Sequence, residues 1–344
     1  MNFIIDIPKK DNLGEDAPPI YISTKDQTKS IVAVLDGLGG SGSTLYEENG
    51  ITHTGAYIAS REVCNTFLKY FENLIEKDDF EITSEVIKEL KQQVKSELNE
   101  KLKKQKFEQS KLKSSLIRTF PTTLALGMTS QKSDSTKIDV LWAGDSRVYI
   151  LTPIDGLIQL TKDDLKIDND PFENIENDSP LSNMIHLDDD FTINHFCQKF
   201  DVPFFIIAAT DGCFGYYPTP MHFEHLLISS LLNSNSESDW KEKITQELKN
   251  VSGDDFSLSL KYITHADAQF GEIKEGFRSR NETLYQSYMS SIDKTESELN
   301  NLKRKERELL DKISDIEKER KVLHKSLWNK YKITNYPNTK IDNQ

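Results

Sequence analysis

The sequence predicts an α/β body of layered sheets and helices, followed by one long helix. Three observations carry that prediction. Apolar strand-like runs flank segments with helical apolar spacing over roughly the first 265 residues. Three of those runs meet a carboxylate at one end: Asp36 after Ile31-Val-Ala-Val-Leu, Asp211 after Phe204-Phe-Ile-Ile-Ala-Ala-Thr, and Asp254 before Asp255-Phe-Ser-Leu-Ser-Leu260. From Phe277 to Tyr336 there is no Gly or Pro, and the composition turns strongly polar.

The elements follow in order. Ile20–Ser23 and Ser30–Asp36 read as two strands around a polar turn, followed by the Gly/Ser-rich loop at 37–43. Ala56, Ala59, Val63, Phe67, Tyr70 and Leu74 fall on one helical face, and Ile87, Leu90, Val94, Leu98 and Leu102 on another. The run Lys101–Lys113 reads as solvated. Thr122–Met128, Ile138–Ala143 and Val148–Leu151 are strands, the last two linked tightly by Gly144-Asp145-Ser146-Arg147. Residues 163–190, acidic and rich in Asn and Pro, read as a long surface loop. Phe204–Thr210 is a strand buried on both faces. Helical spacing returns at Met221–Leu232 and Trp240–Leu248, and Asp254 opens a last strand through Ile263.

Near residue 275 the pattern changes. Tyr285, Tyr288, Ile292, Thr295, Leu299, Leu302, Glu306, Leu309, Ile313, Ile316, Arg320, Leu323, Leu327 and Lys330 follow alternating gaps of three and four. That heptad spacing predicts a coiled-coil helix over 277–332, with Glu306 and Arg320 in its seam. Residues 333–344 read as a flexible tail. A stripe of this kind needs cover: a second copy, a kinase or regulatory partner, or the chain's own body.

The net charge of −13 argues against nucleic acid as a partner. Residues 277–332 hold 14 Lys and Arg against 10 Asp and Glu, so the remainder carries about −17. No apolar run is long enough to span a membrane, and Met1-Asn-Phe-Ile-Ile-Asp does not read as a signal peptide. Cys64, Cys197 and Cys213 lack paired spacing and read as thiols in a reducing compartment, so the expected location is cytoplasmic.

A carboxylate at the mouth of a β-core is costly unless a positive charge neutralises it, and three together call for a metal ion. The ordered set Leu-Asp36-Gly37-Leu-Gly39-Gly40, Gly144-Asp145-Ser146-Arg147, Thr-Asp211-Gly212 and Ser252-Gly-Asp254-Asp255 resembles the metal-dependent Ser/Thr protein phosphatases of type 2C (the PPM family), of bacterial-like type. Asn12-Leu-Gly-Glu15-Asp16-Ala17 looks like a degenerate first motif of that family, and Pro121-Thr122-Thr123 like its small-residue strand. The resemblance covers roughly residues 6–265.

The resemblance implies a four-layer αββα sandwich with two antiparallel sheets over 1–270 and metals at one end. It implies that Asp36, Asp211 and Asp254 are the catalytic carboxylates. Asp36 would bridge two ions, Mn2+ or Mg2+, and the Gly37 carbonyl would help hold one; Asp211 and Asp254 would complete the first ion's shell, and Glu15 would meet the second ion. Oxygen-only ligands suit such cations. A water activated between the ions would hydrolyse phosphoserine or phosphothreonine on a phosphoprotein. Asp145 would serve a third, looser ion, or simply turn a hairpin. Arg147 reads as a structural partner of a carboxylate.

The chain also departs from the family pattern. Leu38 stands where a proton-donating His is common, Asp11 where a phosphate-holding Arg is common, and Gly215 where a further Asp is common. Lys10 is the substitute for the missing phosphate grip. These losses keep a second reading open, a degenerate phosphatase acting as a phosphoprotein-binding or signalling scaffold through its helix. Other constellations read as structural: His222 with His225, His186 beside Asp188–Asp190, and Cys213, which has no His-based triad. The Gly/Ser loop lacks the Lys-Ser/Thr ending of a nucleotide site.

Overall fold

The computed structural model describes residues 1–9, 14–48, 50–72, 74–77, 80–105, 117–132, 135–167, 170, 172–173, 179–265 and 268–335. Lys10, Asp11 and the tail from 336 lie outside them.

Two five-stranded antiparallel sheets form the body. The first has the order β1 (Asn2–Ile7), β12 (Phe256–Ile263), β11 (Phe204–Ala209), β8 (Arg147–Thr152), β9 (Gly156–Gln159). The second runs β10 (Asn194–Phe200), β7 (Thr136–Ala143), β6 (Leu124–Gln131), β3 (Lys29–Val34), β2 (Ile20–Ser23). A hairpin of β4 (Leu45–Glu48) and β5 (Ile51–Thr54) stands apart. The central strands are apolar without alternation because both of their faces are covered; all six residues of β11 are buried.

Three apolar layers set the stacking. Val32, Val34, Ala125, Val140, Val148, Ile150, Ile206 and Ala208 fill the space between the sheets. On the outer face of the second sheet, Ile31, Leu35, Leu126 and Leu141 pack against α1 (Gly55–Glu72) and α2 (Ser84–Lys104) through Val63, Phe67, Leu90 and Val94. On the outer face of the first, Phe205, Ile207, Leu258 and Leu260 meet α3 (Pro220–Leu232), α4 (Glu237–Val251) and α5 (Phe270–Leu284). The result is the αββα sandwich expected from the family pattern. Thr83 and Ser236 cap α2 and α4 by accepting from the Val86 and Asp239 amides.

The compact unit runs Met1–Tyr285. The expected body ended at 270 and the expected rod began at 277, yet Phe277 is fully buried and packs on Phe205 at a ring distance of 5.5 Å. Arg280 makes a two-pronged ion pair with buried Glu224 on α3, at 2.6 and 3.0 Å. Helix α5 therefore belongs to the body. The second unit starts at Gln286 and holds the 46-residue helix α6 (Ser290–Asn335), about 69 Å long at the α-helical rise.

Candidate active site

Antiparallel pairing brings the ends of β1, β3, β7 and β11 and the starts of β8 and β12 to one end of the sandwich. The registers fix this: Ile7 pairs with Phe256, Val34 with Ala125, Leu124 with Ala143, and Arg147 with Ala209. Asp36, Asp145, Asp211 and Asp254 each sit two residues from one of these ends. A cleft of about 740 Å³ opens there, lined by Glu15, Asp16, Asp36, Asp211, Asp254 and Asp255.

Asp36 and Asp211 come from different sheets and line one cleft, and the Asp211 charge helps hold the Asp36 carboxyl up. Carboxyls gathered this closely stay together only if protons or cations offset their charge. Burial holds the Asp36 carboxyl well above its ordinary range, and the charges of Asp16, Asp211 and Asp145 push it further. Asp16 is raised for the same first reason and then by Asp211 and Asp255, against the Thr210 hydroxyl, which donates to it at 3.0 Å. Asp145 is raised to about 8 by burial and by the charges of Asp211 and Asp163. Glu15 is raised by burial and by Asp255 and Asp254, while a 2.5 Å bond from the Thr54 hydroxyl opposes the shift.

The scaffold holds the main chain of Asp36 firmly. Its amide donates to the Thr123 hydroxyl at 3.1 Å, and its carbonyl accepts from the Thr122 hydroxyl at 2.6 Å and the Thr123 amide at 2.8 Å. Thr123 also meets Ser146, next to Asp145, at 2.7 Å. Glycines allow the close approaches: a Cβ on Gly37 would collide with the Glu15 carbonyl, and one on Gly212 with the Asp255 carbonyl. Gly144 turns at φ +100°, and its amide donates to Asp164 at 3.0 Å.

The residues present fit divalent cations. The donor set is entirely oxygen, the carboxylates repel one another, and the buried Asp145 Oδ1 has no hydrogen-bond partner. Among the described residues no three His, Cys, Asp or Glu side chains are already arranged around one point. The carboxylates share one cleft.

Of the expected site residues, Asp36, Gly37, Asp211, Asp254 and Glu15 line the cleft, and Asp145 lies beneath it within electrostatic reach of Asp36 and Asp211. Lys10 falls outside the described residues. Leu38 lines the wall at the place where a proton donor was missed.

Three participants were not legible in the sequence. Asp255 accepts the Lys9 and Glu15 amides, each at 2.6 Å, and so clasps the first motif to the start of β12. Arg118 and Lys166 line the same cleft. The Arg118 amide donates to the Ser41 carbonyl at 2.8 Å, which sets it beside the Gly/Ser loop. Neither cation stands in a recognisable motif; only the return of the chain over the cleft reveals them.

The remaining candidates take structural duty. Arg147 pairs with Asp163 at 2.9 and 2.6 Å and stacks on Phe214. His186 Nδ1 accepts from the Asp188 and Asp189 amides, while Asp190 pairs with Lys91 and Lys95. His222 meets the Thr219 hydroxyl at 2.8 Å. Burial holds the Cys213 thiol well above its ordinary range, which makes it a poor nucleophile.

Comparison with known proteins bears on the family and the fold. The family model described as protein phosphatase 2C matches residues 7–251. Among solved structures, a bacterial serine phosphatase superposes with a TM-score of 0.55 at 13% identity, over 78% of this chain and 99% of that one. The serine/threonine phosphatase Stp1 from Staphylococcus aureus gives 0.53 at 14% identity, over 77% and 96%. The Mycobacterium tuberculosis phosphatase PstP/Ppp gives 0.50 at 14% identity, over 77% and 99%. At these identities the likeness establishes the fold. No curated protein sequence matches the chain.

Proposed function

The chain belongs to the protein phosphatase 2C family, whose members are protein serine/threonine phosphatases, and we propose that it hydrolyses phosphoserine and phosphothreonine through two divalent cations held in the carboxylate cleft. The gathering of Glu15, Asp36, Asp211 and Asp254 in one cleft carries this reading, because their mutual repulsion calls for a positive charge where the two sheets meet. Asp36 would serve both ions and the Gly37 carbonyl one of them, Asp211 and Asp254 would complete one shell, and Glu15 would meet the other ion, with Asp145 for a third, looser one. Mn2+ and Mg2+ both suit the donor set. Bound there, two such cations make water a stronger nucleophile at neutral pH and offset charge on the phosphoryl oxygens.

The protein's own groups do the rest. Asp255 fixes the backbone that carries Glu15. Arg118 and Lys166 bring positive charge to a cleft whose other charged residues are carboxylates, and they would share the phosphate grip proposed for Lys10. Pro180, Leu181 and Met184 give the opening an apolar lip for the residues around the phosphorylated side chain. Leu38 has no proton to give, so the departing alkoxide takes its proton from solvent.

No helix among the described residues is long and apolar enough to cross a membrane, and the three cysteines are free thiols, which supports a cytoplasmic setting. The decisive experiment is turnover of a small aryl phosphate and of a phosphothreonine peptide with Mn2+ or Mg2+, in wild type and Asp36→Ala. The expected result is metal-dependent turnover that the substitution lowers at least about a thousandfold, the scale of losing one key charge-stabilising group. A wild-type protein inactive with every divalent cation would leave the scaffold reading in its place.

A further inference from the structure

We propose that α6 pairs with α6 of a second copy of this chain in an antiparallel two-stranded coiled coil. Within the helix, Leu299, Leu302, Leu309, Ile313, Ile316, Leu323 and Leu327 form one stripe, each 48–63% exposed. Such a stripe on a helix of this length is stable in water only when covered.

The charges in the seam choose the occupant and its direction. Glu306 and Arg320 occupy equivalent heptad positions two heptads apart. In a parallel pair each would face its own copy, Glu306 on Glu306 and Arg320 on Arg320, and Lys330 would face Lys330 nearly three turns further on. In an antiparallel pair centred on Asp311, Leu309 packs against Ile313 of the second copy and Leu299 against Leu323. Glu306 then lies one helical turn, about 6 Å along the axis, from Arg320 of the second copy, and the pair occurs twice.

The rim agrees. Lys303 faces Glu317 and Lys305 faces Glu319, each twice, Leu310 meets its own copy, and one like pair remains, Lys312 with Lys312. Rim charges alone would also permit a parallel pair, through Glu298 with Lys303 and Lys312 with Glu317. The seam therefore decides. A foreign helix would need to supply this charge order by chance, whereas a reversed copy supplies it by construction.

Spin-label distances in the full chain test the arrangement. Cys197 is the exposed cysteine and is first replaced by Ser; Cys64 and Cys213 are buried. One label is placed at Asp311→Cys and, in a separate protein, at Asn329→Cys. The antiparallel pair gives about 2–3 nm at 311 and about 5–6 nm at 329, from 18 residues of rise on each side of the centre. Short distances at both sites, or no dipolar signal at micromolar concentration, overturn the proposal.

Charge exchange is the second arm, read as the dimer dissociation constant by sedimentation. Arg320→Glu weakens the dimer roughly tenfold by spoiling two pairs, and adding Glu306→Arg restores it. An unchanged constant in the single variant also overturns the proposal. Neither arm depends on phosphatase activity.

Discussion

Asp255 and Arg118 show how much of the cleft rests on single side chains. The Asp255 carboxylate receives two backbone N–H groups, at 2.6 Å each, from Lys9 just before the first motif and from Glu15 within it. Bonds to an ionised acceptor contribute about 1.5–3 kcal/mol each. Asp255→Asn keeps the shape but removes the charge, so Glu15 loses its fixed place. The expected outcome is a Mn2+ affinity weakened about tenfold or more, with kcat at saturating metal changed much less; metal titration of activity and calorimetry check it. Arg118 acts on the substrate side. Arg118→Ala is expected to raise KM for a phosphopeptide and the inhibition constant of inorganic phosphate together, each about 10–100-fold, the scale of one charge-assisted hydrogen bond. Arg118→Lys should recover part of both. If phosphate inhibition is unchanged in Arg118→Ala, the cation does not grip the phosphoryl group.

Elements show where the sequence was legible and where it was not. The central strands and the first four helices were readable because each carries its own signal: unbroken apolar runs for β3 and β11, and spacings of three and four for α1 to α4. The motif carboxylates were readable because Asp-Gly at a strand end is a compact, ordered pattern. Strand β10 was missed because it is an edge strand with most of its positions exposed, so no apolar alternation marks it. Strand β1 buries only Phe3 and Ile5, and its partner β12 lies at the other end of the body's sequence. No local window contains that pairing. Helix α5 was absorbed into the polar rod because its inward stripe, Ile273, Phe277 and Leu284, is thin. The packing of Phe277 against Phe205 makes its role testable. Phe277→Ala should cost about 3–5 kcal/mol, read as a lower urea midpoint with an unchanged slope. By the same packing, truncation after Glu275 destabilises the body.

At the scale of the molecule, the sandwich gathers seven carboxylates, Glu15, Asp16, Asp36, Asp145, Asp211, Asp254 and Asp255, at one end of a chain with a net charge of −13. That arrangement opposes folding unless protons or cations offset it. The carboxyls of Asp16, Asp36, Asp145 and Asp211 are all raised, first by burial. An acid raised on folding binds its proton more tightly in the native state than in the unfolded chain. Between the two pKa values the native state holds more protons, so stability falls as pH rises. The window opens near the ordinary aspartate value, about 4, and Asp145 carries it to about 8. Protein stripped of metal with a chelator should therefore lose melting temperature steadily between pH 5 and pH 8. Mg2+ or Mn2+ should restore it, and the gain should be larger at pH 8, where the carboxylates have already released their protons, than at pH 5. Asp36→Asn separates repulsion from metal loss. It removes one negative charge from the centre of the cluster, so the stripped variant should melt higher than stripped wild type at pH 8 while its response to metal collapses, stability gained where function is lost. A stripped wild type whose melting temperature is flat with pH and indifferent to both ions would mean that the two sheets do not bring these carboxylates into one electrostatic neighbourhood.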